Sequence, residues 1–300
     1  MNSRISVGTA DQYAGIAVFP LFQVPIDAVD YQLSDEAIRQ GTVVVEEVSD
    51  AGSVSQLTVE NNGDTRVLFL EGEHLIGAKQ NRILNTSVLV AAKSKIVVPV
   101  SCVEQGRWRY ASHQFHSSMM HSTPTLRHAL KATIVASLRT QQGHRSDQHM
   151  VWAEVARQQR VLGVHSATHA MSDTLASHLG QIGEFQEKLR YVDGASGVVV
   201  ALNGKVIALD LFDQPAICRK VWMRLISGLA LNALESQPTA EPAKVEDVER
   251  LLRFLENAAW QQVPAVGEGK EVRAETETGQ YASKLTLQGR LVHASIVAAG

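Results

Sequence analysis

Apolar and polar residues alternate, or run in short β-branched blocks, through the first hundred positions, and that pattern predicts strands. Residues 42–48 are rich in valine and stop at the turn formers Asp50, Gly52 and Ser53. Over 54–60, Leu57 and Val59 alternate with Gln56, Thr58 and Glu60. Asn61-Asn62-Gly63-Asp64 reads as a turn and a strand resumes over 66–70, so the two runs are expected to pair as an antiparallel hairpin. Two more strands are predicted over 86–92 and 95–103, joined at Lys93-Ser94. Pro99 in the second points to an edge or a bulge, because proline cannot donate to a ladder.

The period changes at Thr125. Leu126, Leu130, Ile134 and Leu138 recur every four residues behind Pro124, a helix-start residue. A polar break over 140–146 follows, where Ser146 or Asp147 is placed to cap a helix carrying Trp152, Val155 and Leu162. Leu175, Leu179, Ile182, Phe185 and Leu189 mark another helix, and burial accounts for their spacing. Strands over 197–202 and 205–209 flank Asn203-Gly204, a dipeptide suited to the positive φ angles of a two-residue hairpin turn. Pro215 opens a helix with Ile217, Val221, Leu225 and Leu229. A proline-containing linker over 236–242 precedes the last helix, which carries Val245, Val248, Leu251, Leu252 and Leu255, and two or three strands end the chain over 272–297.

The expected organisation is one continuous domain, 1–300: strand-rich over 1–112, helical over 124–191, a β-hairpin with helices over 197–258, and C-terminal strands over 270–298. Strand blocks alternate with helix blocks rather than strand by strand. That order predicts an α+β fold with antiparallel or mixed sheets, not a doubly wound parallel sheet.

Composition narrows the class. At 45% hydrophobic and 20% charged residues the chain is too apolar for disorder. No stretch approaches the roughly 18 uncharged apolar residues of a membrane span. Met1-Asn2-Ser3-Arg4-Ile5 lacks the order of a signal peptide, and two cysteines make no disulfide scaffold, so the expected setting is cytoplasmic. The net charge of −3 conceals an asymmetry. Ten basic residues lie between Lys93 and Arg160 against Glu104, Asp147 and Glu154, and nine of the eleven histidines lie between His113 and His178. A basic, His-rich middle suggests an anionic ligand.

Two clusters carry candidate chemistry. The first, residues 71–82, reads as a long polar connection between strong strands, the usual place for a site. Lys79 and Arg82 suit phosphate, Gln80 and Asn81 suit amide, ribose or base edges, and Glu71 and Glu73 suit a ribose hydroxyl, a metal or general-base work. His74 is the histidine best placed for chemistry. The second cluster, 99–110, offers Glu104 and then Arg107, Trp108, Arg109 and Tyr110, cations interleaved with stacking surfaces. Cys102 reads as a small core residue ahead of a nucleophile. Neither phosphate-loop nor dinucleotide glycine motif is present, so no cofactor is predicted. The pairs His113/His116 and His165/His169 lack further ligands at metal spacing, so no metal site is assigned.

The run Leu70-Glu71-Gly72-Glu73, then 77–82, then 99–108, resembles a bacterial and archaeal family named for its association with ADP-ribosylglycohydrolases and rhodanese-type phosphatases. Val151-Trp152, Ser166-Ala167-Thr168, Gly204-Lys205-Val206 and Asp210-Leu211-Phe212 are similar to it as well, so the resemblance spans nearly the whole chain. It implies a role near ADP-ribose, NAD-derived or related nucleotide metabolism. The expectation is a shared pocket with Glu71, Glu73, Lys79, Gln80, Asn81 and Arg82 on one wall and Glu104, Arg107 and Trp108 on the other. If it is catalytic, a hydrolase is expected, with Glu71, Glu73 or Glu104 activating water and Arg82 stabilising developing charge. The alternatives are a non-catalytic ligand sensor and a metal-dependent hydrolase built on the histidines. The expected partner is a small nucleotide-like anion. A membrane is not expected, nor is nucleic acid, since the basic residues are scattered rather than set in a stripe. Homo-oligomerisation stays open.

Overall fold

The structure is a computed structural model that describes residues 5–24, 28–239 and 241–299. Its strands in chain order begin β1 (Ser6–Val7), β2 (Asp11–Tyr13), β3 (Ile16–Phe22), β4 (Tyr31–Leu33), β5 (Val43–Glu47) and β6 (Gln56–Asn61). They continue β7 (Arg66–Phe69), β8 (Glu73–Gly77), β9 (Arg82–Leu84), β10 (Val88–Val90), β11 (Ser94–Cys102) and β12 (Phe115–His121). The last six are β13 (Gly197–Leu202), β14 (Lys205–Phe212), β15 (Gln261–Val263), β16 (Lys270–Glu275), β17 (Tyr281–Leu287) and β18 (Arg290–Val297). The helices are α1 (Ser34–Arg39), α2 (Pro124–Arg139), α3 (Gln148–Val161), α4 (Met171–Ser177), α5 (Leu179–Lys188), α6 (Pro215–Ala233) and α7 (Val245–Asn257). The fold is α+β with antiparallel and mixed sheets. Among the described residues no helix is long and apolar enough to cross a membrane.

Three sheets organise the chain. A six-stranded sheet runs β12-β8-β9-β11-β6-β5, and a bridge between Glu46 and Gln114 closes it on itself as a barrel. Leu57, Val59, Leu75, Val98, Val100 and Phe115 belong to its core. A three-stranded sheet, β10-β7-β4, lies between the barrel and the helices, so Val67 and Phe69 join the barrel core while Leu68 joins the helical core. A nine-stranded sheet contains β1, β2, β3 and β13–β18, which joins the C-terminal strands to the N-terminal ones. It is covered on both faces: Val198 and Val200 share a core with α2, α5 and α6, and Val199 and Ala201 share one with α7. Burial on both faces explains the unbroken apolar run of β13. Asn203 and Gly204 turn it into β14 at φ +49° and +82°.

Three local expectations are corrected. The runs 54–60 and 66–70 do not pair. β6 lies between β5 and β11, whereas β7 lies between β10 and the parallel strand β4. Asn61 turns the corner between sheets: its buried amide donates to Thr65 O and Ala91 O, both at 2.9 Å, and accepts from Gly63 N at 2.9 Å. Pro99 marks neither an edge nor a bulge. It sits where β11 changes partner from β6 to β9, and its carbonyl accepts from Asn85 N. The helix expected over 175–189 is two, α4 and α5, broken at His178, whose Nδ1 bonds Thr174 O at 2.9 Å.

The barrel and the nine-stranded sheet meet across a buried charged seam. Arg127 and Lys131, four apart on α2, point the same way. Arg127 grips Asp210 of β14 with two bonds of 2.8 and 2.7 Å and reaches Glu71 at 3.3 Å. Lys131 reaches Glu71 Oε2 and Ser283 Oγ, both at 2.6 Å. His293 of β18 joins Asp210 at 3.1 Å to Ser87 Oγ at 2.9 Å. Burial works against every charge here. Asp210 nevertheless stays far below the usual carboxylate range because of Arg127 and His293, whereas burial pulls Lys131 down to about 8. Arg127→Met leaves buried Asp210 without its principal counter-charge and Glu71 with Lys131 alone, so a loss of about 3–5 kcal/mol is expected. Urea unfolding measures it; a loss below 1 kcal/mol, the range of a surface pair, contradicts the role given to the seam.

Candidate functional site

Residues 71–82 are not a solvated loop. They form the tight corner after β7, strand β8 and the turn into β9, and Glu71, Glu73, His74 and Lys79–Arg82 are all buried. The turn needs Gly77, which has φ +124° and whose Cβ would lie 2.6 Å from Gln114 O. Three connections converge at this end of the barrel: β5 to β6, β8 to β9, and β11 to β12.

Glu104 organises the meeting point. Its two oxygens accept from Arg107 Nε at 2.8 Å and Nη2 at 2.7 Å, from Asn81 N at 3.0 Å and from Thr168 Oγ1 at 3.0 Å. Burial would raise its pKa, but these donors hold it below the usual carboxylate value, so it is ionised and fully engaged. Arg107 also donates to Ala78 O at 2.6 Å, Arg109 O at 3.0 Å and Asn81 Oδ1 at 3.2 Å. Gly106 approaches the 166–170 segment so closely that a Cβ would lie 2.9 Å from Thr168 Cα. Gln80 bridges inward, donating to Glu104 O at 2.8 Å and accepting from the Cys102 thiol at 3.1 Å. Burial raises that thiol's pKa, so it is not poised as a thiolate.

Arg82 is fully buried, with Nη2 3.2 Å from Ser53 O and 3.7 Å from Glu47 Oε1. Among the described residues its Nε has no partner, and neither does Glu47 Oε2. Above it, Lys79 donates to Asp50 O and to Ala51 O, and its Nζ lies 5.4 Å from the Trp108 ring and 5.1 Å from the Tyr110 ring. Trp108 is 48% exposed and Tyr110 43%. Arg109 between them is exposed and has no acidic partner among the described residues. Lys79, Trp108, Arg109 and Tyr110 therefore make a ledge of cations and aromatic faces on a rigid frame.

The fold thus brings Lys79, Gln80, Asn81 and Arg82 together with Glu104, Arg107 and Trp108. It does not bring Glu71 and Glu73 to them. Glu71 is held by Lys131 and Arg127, and Glu73 by Ser34 Oγ at 2.5 Å, with Arg224 3.6 Å away. β8 carries Glu73 about 13 Å along the strand from Gly77, toward the other end of the barrel. His74 is buried, and neither ring nitrogen has a partner among the described residues. Glu47, Thr168 and Ser172 join the frame without having been picked out; the acidic pair Glu46-Glu47, ending a valine strand, is the signal that could have found the first. His113 packs against Tyr110 with ring centroids 5.8 Å apart, while His165 and His169 are exposed. Among the described residues no three His, Cys, Asp or Glu side chains gather for a metal.

Fold and site together define an α+β protein whose closed barrel carries a cation–aromatic ledge at one end. The chain belongs to the ARG and Rhodanese-Phosphatase-superfamily-associated Protein domain family (ARPP-1), whose model matches residues 4–297. Searches of curated proteins and of solved structures gave no match.

The buried histidines set an acid limit on this architecture. Burial pushes His74 and His121 from 6.5 to about 4. Between those values the unfolded chain binds up to two protons more than the folded one, so stability falls as pH drops through the window. The slope approaches about 2.7 kcal/mol per pH unit. Urea unfolding at a series of pH values across it measures this. His74→Leu is expected to remove about half of the slope; an unchanged slope argues against His74 as a source.

Proposed function

We propose that this protein recognises a nucleotide-like anion, most specifically an ADP-ribose or NAD-derived metabolite, on the ledge at the barrel end. The observation that carries this reading is the half-exposed pair Trp108 and Tyr110 with Lys79 beside both rings. Exposed aromatic faces stack on bases, and adjacent cations take phosphate. Arg109 is exposed and without an acidic partner among the described residues, and Lys79 adds its charge from beneath. Arg107, Glu104, Gln80, Asn81 and Arg82 act as the frame, because their polar groups are largely spent on one another. Family membership supports the ligand class by association alone.

Recognition is favoured over hydrolysis by the state of the carboxylates. A general base needs a free lone pair facing the substrate and a pKa near the working pH. Glu104 accepts four hydrogen bonds, and Glu71 and Glu73 are bound into the seam and its flank.

Thermal-shift titration with ADP-ribose, NAD, AMP and ADP tests the proposal. A ligand at a hundred times its Kd stabilises the fold by about 2.7 kcal/mol. ADP-ribose or NAD is expected to shift the wild type, with the shift lost in Trp108→Ala and weakened in Arg109→Ala. The ligand is expected to be recovered intact. No shift across the panel, or equal shifts in both variants, removes the ledge reading; consumption of the ligand replaces recognition with catalysis.

A further inference from the structure

A cleft of about 450 Å³ lies beside the barrel wall, between β6 and β11 on one side and the loop from α2 to α3 on the other. Val98 and Val100 of β11 face the barrel core, so strand alternation turns Val97 and Pro99 outward into the cleft. With Val266 they give it an apolar wall, while Gln56, His144 and Arg145 supply polar groups. The volume falls in the range of small-molecule sites, and such sites combine apolar walls with a few placed polar groups.

Two observations make this more than a gap between elements. The first is His144, which lines the cleft yet is only 6% exposed. Its Nε2 is 2.9 Å from Glu271 Oε2, and its carbonyl accepts from Asn85 Nδ2 at 2.8 Å. Glu271 is in turn fixed by Arg273 Nε at 2.6 Å and Thr86 Oγ1 at 3.2 Å. A carboxylate on one nitrogen orients an imidazole and leaves the other for a ligand. Nδ1 is engaged by no described group. Arg273 balances the charge of Glu271, so the carboxylate can orient the ring without repelling an anion. The second observation is Arg145, exposed at the cleft and paired with no acidic residue among the described ones. It shares no residue with the ledge.

We propose that this cleft is a second binding site, for a compact ring-bearing organic anion whose carboxylate or phosphate meets Arg145 beside His144 and whose ring lies on Val97, Pro99 and Val266. The Arg145 guanidinium serves either anion, and the free His144 nitrogen donates only in the imidazolium form, so the probes separate the two sources.

Isothermal titration with nicotinate, ribose 5-phosphate and uncharged nicotinamide tests this on the full chain. One of the two anions is expected to bind at millimolar concentration or better, and nicotinamide at least about tenfold more weakly. Arg145→Gln removes a charge from an exposed side chain and Val97→Asp puts a repelling one on the wall, and each is expected to weaken the anion by about tenfold. Circular dichroism confirms that both variants are folded. The proposal is overturned if neither anion binds, if nicotinamide binds as well as nicotinate, or if both variants bind like the wild type.

Discussion

The interaction on which the rest of the structure depends is the Arg127 guanidinium held between Asp210 and Glu71 in a buried seam. One side chain from α2 meets one carboxylate from the nine-stranded sheet and one from the corner that leads into β8. Charges cost much to bury unless they are paired and hydrogen-bonded, and this one is satisfied only when all three elements are in place. The same corner is pinned by its backbone. Glu71 N donates to Ser87 Oγ, Gly72 N to Leu84 O, and Ser122 N to Gly72 O. Through it the seam sets where β8 begins, and so where its far end delivers residues 77–82.

That far end is rigid for a related reason. Gln80, Asn81, Arg82, Glu104 and Arg107 largely satisfy one another and the neighbouring carbonyls, so a polar segment can be buried without a large penalty. Groups spent in this way have little left for a ligand. Recognition passes to what the frame pushes outward: Trp108, Arg109 and Tyr110, held on a frame that a ligand need not order. Among the described residues the frame is incompletely satisfied at Arg82 Nε and at Glu47 Oε2.

The α2–α3 connection has a comparable double use. Inward, His144 extends the polar seam through Glu271 to Arg273 and Thr86. Outward, it faces a cleft with Arg145 beside it. Polar residues that join the two halves of the fold thus also present their free ends at the surface, at positions set by long-range packing.

Several elements were legible in the sequence because their causes are local. The four-residue spacing of Leu126, Leu130 and Ile134 reports one buried helix face, Asp147 caps α3 through its own side chain, and Asn203-Gly204 carries the φ angles its turn requires. The meeting of 79–82 with 104–108 was expected from two unusually polar segments and the family resemblance, whereas the pairing of β9 with β11 that brings them together was not. Other matters belonged to the tertiary structure. Runs 54–60 and 66–70, either side of a turn, look like hairpin partners, yet a strand's period shows which face is buried, not which strand lies beside it. Glu71 looked like surface chemistry because its counter-charges stand 56 and 60 positions away, on α2, and Asp210, which shares Arg127 with it, lies farther still. A carboxylate's environment decides whether it is a base or a buried tie, and that environment is made of residues brought together only when the sheets close.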